Sequence, residues 1–180
     1  MRPLTNEETK LVLTKLKKYI GQNVRTLLER SDGLYCLRLH NNRVYYVKEE
    51  IMKFAVSLPR ENLVSLGVCF GKITKGGKFM LRITALDFLH PYCQNKIWVK
   101  SSSEDSFLYG NHVYKSGLSR ISDNTAKYTG AIIFSSKDIP LGFGVTGKST
   151  PECRLADPMN IICFNQADVG EYIRNEEGLI

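Results

Sequence analysis

The amino-terminal region has apolar residues at intervals of three and four, separated mainly by lysines. These residues are Val12, Leu13, Leu16, Tyr19 and Ile20. This spacing is typical of an amphipathic helix with one buried face. Thr5 and Glu8 precede it at the three-residue spacing of a capping box. We therefore predict a helix over residues 7–20 that ends at Gly21.

Strand-like runs follow this helix. Residues 34–39 and 43–47 flank Asn41 and Asn42, which favours a tight hairpin. A short helix is predicted over residues 49–56. A second hairpin is predicted from residues 63–74 and 78–86, because they flank two adjacent glycines. The first part of the chain should therefore be an antiparallel sheet with flanking helices.

Beyond residues 91–96 the pattern changes to short strands separated by Gly, Asn and Ser. Strands are predicted over residues 96–100, 117–122, 131–135, 141–145 and 160–165, with a short helix over residues 104–109. Many short strands with close turns indicate a small barrel. We predict an α+β protein of two domains, residues 1–94 and residues 95–180.

The sequence also argues against several classes of protein. No apolar run approaches the roughly 20 residues that a bilayer crossing needs, and the first residues lack the apolar core of a secretory signal. The cysteines are Cys36, Cys69, Cys93, Cys153 and Cys163. No two of them have the C-x-x-C spacing common in zinc sites. We therefore expect an intracellular protein with reduced, buried thiols, and not a secreted, membrane-spanning or fibrous one.

Positive charge is concentrated in the first half. Residues 1–94 hold 16 basic and 8 acidic residues, a net +8, and residues 95–180 hold 9 and 10, a net −1, which add to the formal +7. Such asymmetry suggests a polyanionic partner, although a cationic surface also keeps small proteins soluble. Lys72, Lys75 and Lys78 of the second hairpin are predicted to contact RNA phosphates. The alternative is that they protect a sheet edge from aggregation.

A nucleotide-binding pattern also occurs in the second half. Residues 142–149 match G-x-x-x-x-G-K-[ST], which forms a phosphate-binding loop when a strand precedes it and a long helix follows. Pro151 and Pro158 leave too few residues for that helix. His40, His90 and His112 lack the partner spacing of a nucleophile or metal site. We therefore expect no catalytic centre and no cofactor.

The second half resembles a PUA domain. The resemblance rests on residues 96–100, 106–113 and 115–118 in this order, followed by Pro-Leu-Gly-Phe-Gly-Val at 140–145. With residues 2–5, 39–41, 43–47, 63–67 and 167–172, nearly the whole chain resembles the nuclear import protein seven family of large-ribosomal-subunit biogenesis factors.

The resemblance has specific implications for fold and function. It implies an amino-terminal α+β domain, a carboxy-terminal PUA pseudo-barrel that binds RNA, and a non-catalytic role in pre-rRNA processing for the large (60S) subunit. It implies residence in the nucleus and nucleolus. The implied partners are pre-rRNA, pre-60S assembly factors and the RNA exosome. We expect a monomer without membrane contact.

The resemblance also places RNA along a groove between the first PUA helix, the glycine-bearing loop and strand after it, and the last strand. The basic residues predicted to contact phosphates are Lys115, Arg120, Lys148 and Arg154. Tyr114 is predicted to stack on an unpaired base, with a place in the barrel core as the alternative. Gly110 and Gly117 are predicted to let RNA approach the backbone closely.

Two alternative functions make different demands on the sequence. A protein-interaction adaptor with incidental RNA contact would use exposed aromatic side chains, for which Tyr45, Phe54 and Phe88 are candidates. An RNA-modifying enzyme would need a catalytic motif or a methyl-donor loop, and the sequence shows neither. RNA binding through both domains is the leading hypothesis.

Overall fold

The structure, a computed structural model, describes residues 1–59 and 62–176 and contains two six-stranded sheets. The helices are α1 Asn6–Ile20, α2 Val24–Leu28, α3 Glu49–Ala55, α4 Leu86–Leu89, α5 Ser101–Leu108, α6 Thr150–Leu155 and α7 Glu171–Arg174. The strands are β1 Arg2–Pro3, β2 Glu29–Arg30, β3 Gly33–His40, β4 Arg43–Lys48, β5 Val68–Ile73, β6 Phe79–Leu81, β7 Lys96–Val99, β8 Val113–Tyr114, β9 Leu118–Ile121, β10 Gly130–Phe134, β11 Pro140–Thr146 and β12 Ile161–Asp168. Residues 177–180, the end of the second predicted domain, lie outside the described residues.

The first helix matches its prediction to within one residue. The Thr5 hydroxyl accepts a hydrogen bond from the Glu8 amide, and the Glu8 carboxylate accepts one from the Thr5 amide at 2.8 Å. Gly21 ends the helix with φ +56°, a conformation that L residues with a side chain rarely adopt. The capping box and the glycine stop are therefore confirmed.

The first sheet has the order β1-β3-β4-β5-β6, with β2 paired to β3. The β3–β4 hairpin turns at Asn41 (φ +47°) and Asn42 (φ +61°), as a two-residue turn with both φ positive requires. The second hairpin is shorter than predicted. After β6 the chain leaves the sheet, because Ile83, Leu86 and Leu89 point into the core at helical spacing and form a 3-10 turn and α4.

The second sheet has the order β8-β12-β11-β10-β7-β9 and curls into a nearly closed barrel. The β7–β10 pair is parallel and the remaining pairs are antiparallel. The pseudo-barrel prediction is therefore confirmed. The helix predicted over residues 104–109 is α5, which begins at Ser101. Serines have low helix propensity but suit a first turn, so the sequence pattern placed this start too late.

Helix α6 is an element that the sequence pattern did not predict. Its start satisfies a second capping box, in which the Glu152 carboxylate accepts from the Ser149 amide at 2.7 Å. Pro151 lies in the first turn, where its missing N–H costs no helical hydrogen bond. The two prolines do prevent a long helix, as predicted, but they allow this one of six residues.

The largest cluster of buried residues joins the two sheets, while the barrel interior forms a second cluster. The buried Tyr19 ring on α1 meets the Phe143 ring on β11 edge-on, with centroids 5.4 Å apart. Ile132 and Phe134 of β10 belong to the same cluster as the apolar face of α1. A Cβ at Gly130 would lie 2.7 Å from the Lys18 carbonyl oxygen, so this glycine lets α1 approach β10. The junction between the two halves is therefore a packed apolar contact.

All five cysteines are free, and Cys69, Cys153 and Cys163 are buried. Burial raises the pKa of Cys163 well above its ordinary value, which keeps the thiol protonated and unreactive. Cys36 and Cys93 are only partly buried. Among the described residues, every helix is too short or too polar to cross a bilayer.

Candidate nucleic-acid interface

Two predicted RNA contacts, Lys115 and Lys148, lie together beside α6. Lys148 directly precedes the helix cap, and the Lys115 amide donates to the Asn160 carbonyl at 2.9 Å just before β12. Burial raises the pKa of the Cys153 thiol on α6, and the positive charges of both lysines act in the opposite direction. Both positive charges therefore act on the same residue of α6.

A third lysine, Lys127, joins this pair. The pKa of Glu152 is lowered by its hydrogen bonds from Ser149 and, in addition, by the charges of Lys127 and Lys148. The loop that carries Lys127 is bound to α6 by two reciprocal hydrogen bonds between Thr125 and Thr150, each 3.0 Å long. We call Lys115, Lys127 and Lys148 the α6 basic cluster. No sequence motif marks Lys127, so sequence reasoning missed it.

In the described part of the chain, the lysines of the cluster form no ion pair, although the Glu152 carboxylate lies near two of them. Within residues 1–59 and 62–176, none of its three ammonium groups lies within 4.0 Å of a carboxylate. Arg154, the remaining predicted contact on α6, is exposed in the last turn of that helix. Lysines that are brought together from separate segments and form no ion pair are a suitable site for phosphate groups.

Tyr114 lies at the predicted groove between α5 and β8. It is 38% exposed and lines a cavity of about 120 Å³ together with Ser103, His112 and Gly117. Its neighbour Val113 points into the barrel core instead, so the core alternative does not describe Tyr114. An aromatic ring at the rim of a polar cavity is accessible for stacking on a base.

The two glycines of this region have different environments. Gly110 is exposed after α5 with φ +91°, where a residue with a side chain would be strained. Gly117 is buried, and a Cβ there would lie 2.6 Å from the Ser103 hydroxyl oxygen. The close approach that Gly117 permits in this structure is therefore to α5.

Arg120 lies apart from the α6 basic cluster. Its guanidinium carbon is 3.7 Å from the centroid of the Trp98 ring, on the outer face of β7, because the alternating residues Ile97 and Val99 face the barrel interior. The Trp98 indole N–H donates to the Asp138 carboxylate at 2.6 Å. The structure thus places Arg120 in a cation–π contact on a different surface.

The three lysines of the second hairpin form a separate surface at the edge of the first sheet. Lys72 pairs in register with Met80 on one side and Arg43 on the other. Lys75 and Lys78 are exposed in the turn, which the Gly77 amide closes by donating to the Thr74 carbonyl at 2.9 Å. These lysines are accessible to an anionic partner, but they lie on a different sheet from the α6 basic cluster.

The candidate aromatic patch of the first half is corrected by the structure. Tyr45 is only 4% exposed and packs with Val47 and Cys69, because Met1, Met52 and Leu66 cover the outer face of the first sheet. Phe88 is half-buried against the rings of Tyr46 and Phe70. Of the three aromatic residues, only Phe54 is well exposed, at 79%.

The glycine-rich segment at 142–149 serves the barrel. Gly142 and Gly144 lie inside β11, which is antiparallel to both of its neighbours. A Cβ at Gly144 would lie 2.4 Å from the Phe164 carbonyl oxygen, so these glycines allow strands to pack closely. A phosphate-binding loop instead connects a strand to a long helix, and α6 has six residues.

Solved structures of other proteins share this fold. A PUA domain protein from Aeropyrum pernix K1 superposes with a TM-score of 0.64 at 12% sequence identity, covering 99% of this chain and 90% of that one. A hypothetical protein from Pyrococcus horikoshii OT3 superposes with a TM-score of 0.63 at 11% identity, covering 99% of both chains. These likenesses confirm the fold.

Sequence comparison identifies the family. Residues 1–83 match the pre-PUA domain of NIP7/UPF0113, and residues 95–177 match the UPF0113 PUA domain. The chain is 62% identical over 179 residues to the 60S ribosome subunit biogenesis protein NIP7 homolog of Tetraodon nigroviridis, and 59% identical to that of Mus musculus. Each alignment covers 99% of both chains. Because its two parts match in order and its relatives align along their whole length, the chain belongs to the NIP7/UPF0113 family.

Proposed function

We propose that the chain is a non-catalytic RNA-binding factor for assembly of the large (60S) ribosomal subunit, acting in pre-rRNA processing. Its relatives are named 60S ribosome subunit biogenesis proteins, and the PUA domain is an RNA-binding fold. The observation that carries the proposal is the α6 basic cluster, in which lysines from three segments lie beside one helix and, among the described residues, form no ion pair.

Single-stranded RNA is the form of nucleic acid that fits this site. Lysine ammonium groups contact phosphates in any sequence, whereas the Tyr114 ring can stack only on a base that is unpaired. Arg154 adds a further cation to the same helix. We propose that residues 95–180 form the main RNA-binding domain, and that Lys72, Lys75 and Lys78 of residues 1–94 contact phosphates separately.

Binding of a single-stranded RNA across a series of salt concentrations tests this function. Removal of one lysine–phosphate interaction should reduce the slope of log affinity against log salt by about 0.7. Lys115→Gln/Lys148→Gln should therefore reduce the slope by about 1.4. The matched control is Lys53→Gln/Lys137→Gln, which removes the same charge from exposed lysines on α3 and the β10–β11 turn. Equal slopes for the two double variants would contradict a phosphate site beside α6.

The proposed function also specifies a location and partners. The protein should act in the nucleus, within the nucleolus, in contact with pre-60S assembly factors and the RNA exosome. Fluorescence imaging of the tagged chain and crosslinking of RNA in cells test both. A diffuse cytoplasmic signal without pre-rRNA crosslinks would contradict the proposal.

A second candidate function, docking to a protein partner, is favoured by the surface around α3. Its exposed apolar residues are Ile51, Phe54, Val56 and Leu58. Beside them, Arg38 and Lys53 line a cavity of about 360 Å³ together with Met52 and Glu49. We propose that a pre-60S protein places an apolar segment with an acidic residue here, because an exposed apolar patch next to cationic side chains favours that chemistry.

Phe54→Asp separates the two functions. This variant should reduce cosedimentation with pre-60S particles and leave affinity for isolated RNA unchanged, since Phe54 lies on the first sheet's side of the molecule, away from α6. Ile139→Asp is the control, because Ile139 is also an exposed apolar residue but lies in the β10–β11 turn. Cosedimentation of Phe54→Asp at the level of the control would exclude this docking surface.

A further inference from the structure

Tyr128, in the loop between β9 and β10, holds an aromatic ring in solvent. The ring is 62% exposed, and its backbone has φ +62°. This left-handed conformation is rare for a bulky residue, and such strain persists only where the surroundings impose it. Gly and Asn adopt this conformation more readily than Tyr does.

Hydrogen bonds to the neighbouring strand impose this conformation. The Tyr128 amide donates to the Thr146 carbonyl at 2.8 Å, and the Thr129 amide donates to the Thr146 hydroxyl at 3.0 Å. The buried Thr146 hydroxyl in turn donates to the Ala126 carbonyl at 2.8 Å. The loop is therefore fixed, and it presents the Tyr128 ring outward in a defined position.

Lys127 connects this ring to the α6 basic cluster. Its ammonium nitrogen is 4.9 Å from the centroid of the Tyr128 ring, and it lies near enough to Glu152 to lower the pKa of that carboxyl together with Lys148. Proteins bind single strands with exposed aromatic rings beside cationic groups, because bases stack on the rings while the cations neutralise phosphates.

The carboxyl-terminal end of α1 packs against the chain two residues after Tyr128. Gly130, two residues further along the chain, lies directly under the Lys18 carbonyl and the Tyr19 ring. Two residues of extended chain span at most about 7 Å, so Tyr128 is close to the last turn of α1. The Lys15 ammonium is 5.9 Å from the Tyr19 ring centroid, and its pKa is lowered by burial and by the neighbouring charge of Lys18.

We propose that Lys15, Lys18, Lys127 and Tyr128 form a second contact for single-stranded RNA, which continues from the α6 basic cluster across the junction onto α1. Tyr128 stacks on one unpaired base, and the three lysines neutralise the phosphates on either side. This inference rests on the proposed function and extends its site to both halves of the chain. It also explains why a strained tyrosine occupies a position that suits Asn.

The first test measures stacking with a labelled single-stranded RNA of about 12 nucleotides. Tyr128→Asn should weaken binding about tenfold, because one stacked base contributes on this scale. Tyr128→Phe keeps the ring and should restore the affinity. Tyr128→Asn should also unfold at the same or a higher temperature than the parent, because Asn tolerates positive φ. Unchanged affinity in Tyr128→Asn would overturn the stacking role.

The second test measures the slope of log RNA affinity against log salt for variants of α1. Lys15→Gln/Lys18→Gln should reduce it by about 1.4, as expected when two lysine–phosphate interactions are removed. The matched control is Lys10→Gln/Lys17→Gln, which removes two exposed lysines seven positions apart on another face of the same helix. Equal slopes for these two variants would contradict the proposal that α1 contributes to RNA binding.

The outcomes distinguish this proposal from the proposed function. If Lys115→Gln/Lys148→Gln loses affinity while the Tyr128 and α1 variants do not, RNA binding stands and its extension is wrong. If the parent protein binds no RNA, both fail. If the α1 and Tyr128 variants keep RNA affinity but lose cosedimentation with pre-60S particles, this surface contacts a protein instead, which also overturns the inference.

Discussion

Two buried tyrosines show that a hydroxyl group can either stabilise the fold or cost free energy. Tyr46 donates its hydroxyl to the Leu27 carbonyl, and its ring stacks between Tyr35 and Phe70. The Tyr19 hydroxyl is equally buried but has no hydrogen-bond partner among the described residues. A buried hydroxyl without a partner loses its hydration without compensation. The same residue type therefore stabilises the fold at one position and costs free energy at the other.

Replacement by phenylalanine should separate these two cases. Tyr46→Phe removes the donor to a buried carbonyl and should lower the free energy of unfolding by about 1–2 kcal/mol. Tyr19→Phe removes an unpaired hydroxyl and should leave it unchanged or raise it by up to about 1 kcal/mol. Urea unfolding of both variants measures the difference. A larger loss in Tyr19→Phe than in Tyr46→Phe would contradict the hydrogen-bond pattern described above.

At the scale of elements, the start of α1 combines a cap with an ion pair. The Glu8 carboxylate accepts from the Thr5 amide and from both terminal nitrogens of Arg2, at 2.7 and 2.9 Å. The hydrogen bond from Arg2, followed by that from Thr5, lowers the pKa of Glu8 from 4.5 to about 2. One carboxylate thus binds β1, the cap and the helix together.

This interaction makes stability depend on pH. Because the pKa of Glu8 is lower in the folded state, its contribution is complete above about pH 4.5 and is lost as the pH falls toward 2. Glu8→Gln should therefore unfold at a lower temperature than the parent at pH 7, with a difference that shrinks on acidification. The effect should be small, because the pair is partly exposed to solvent. A difference that is constant between pH 7 and pH 2 would contradict the role of the carboxylate charge.

At the scale of the whole molecule, the two sheets behave as one packed unit. Helix α1 belongs to the first half of the chain, yet its apolar face packs against β10 and β11 of the second as well as against the first sheet. Removal of either half would expose this face to water, which is unfavourable in proportion to the apolar area exposed. The two halves therefore share the largest cluster of buried residues, and we expect them to unfold together.

Phe143→Ala tests this coupling. The variant should lose about 3 kcal/mol or more of stability, as truncation of a buried aromatic residue does. Fluorescence of Trp98, the chain's one tryptophan, reports on the second sheet, and far-ultraviolet circular dichroism reports on the helices and strands of both halves. Both transitions should move together to lower urea concentration, whereas Phe54→Ala, at an exposed position, should move neither. A shift in fluorescence alone would mean that the halves unfold independently.

The sequence by itself determined the features that depend on neighbours a few positions away. The helical spacing before Ile20, the cap at Thr5 and the turn at Asn41 and Asn42 are local, and the structure confirms each of them. The family resemblance is also a property of the residues in order, and comparison confirms it. Strands β5 and β6 are shorter than predicted, because an alternating apolar pattern does not show where a chain leaves its sheet.

Only the tertiary structure decided which distant side chains meet. Lys127 lies beside Lys148 because Thr125 and Thr150 bind two loops together. Arg120 lies on Trp98 because strand alternation and strand order place both on one outer face. Tyr45 is buried because a second apolar layer covers its side of the sheet. Such contacts depend on the packing of elements that are far apart in the chain, and local sequence patterns carry no information about that packing.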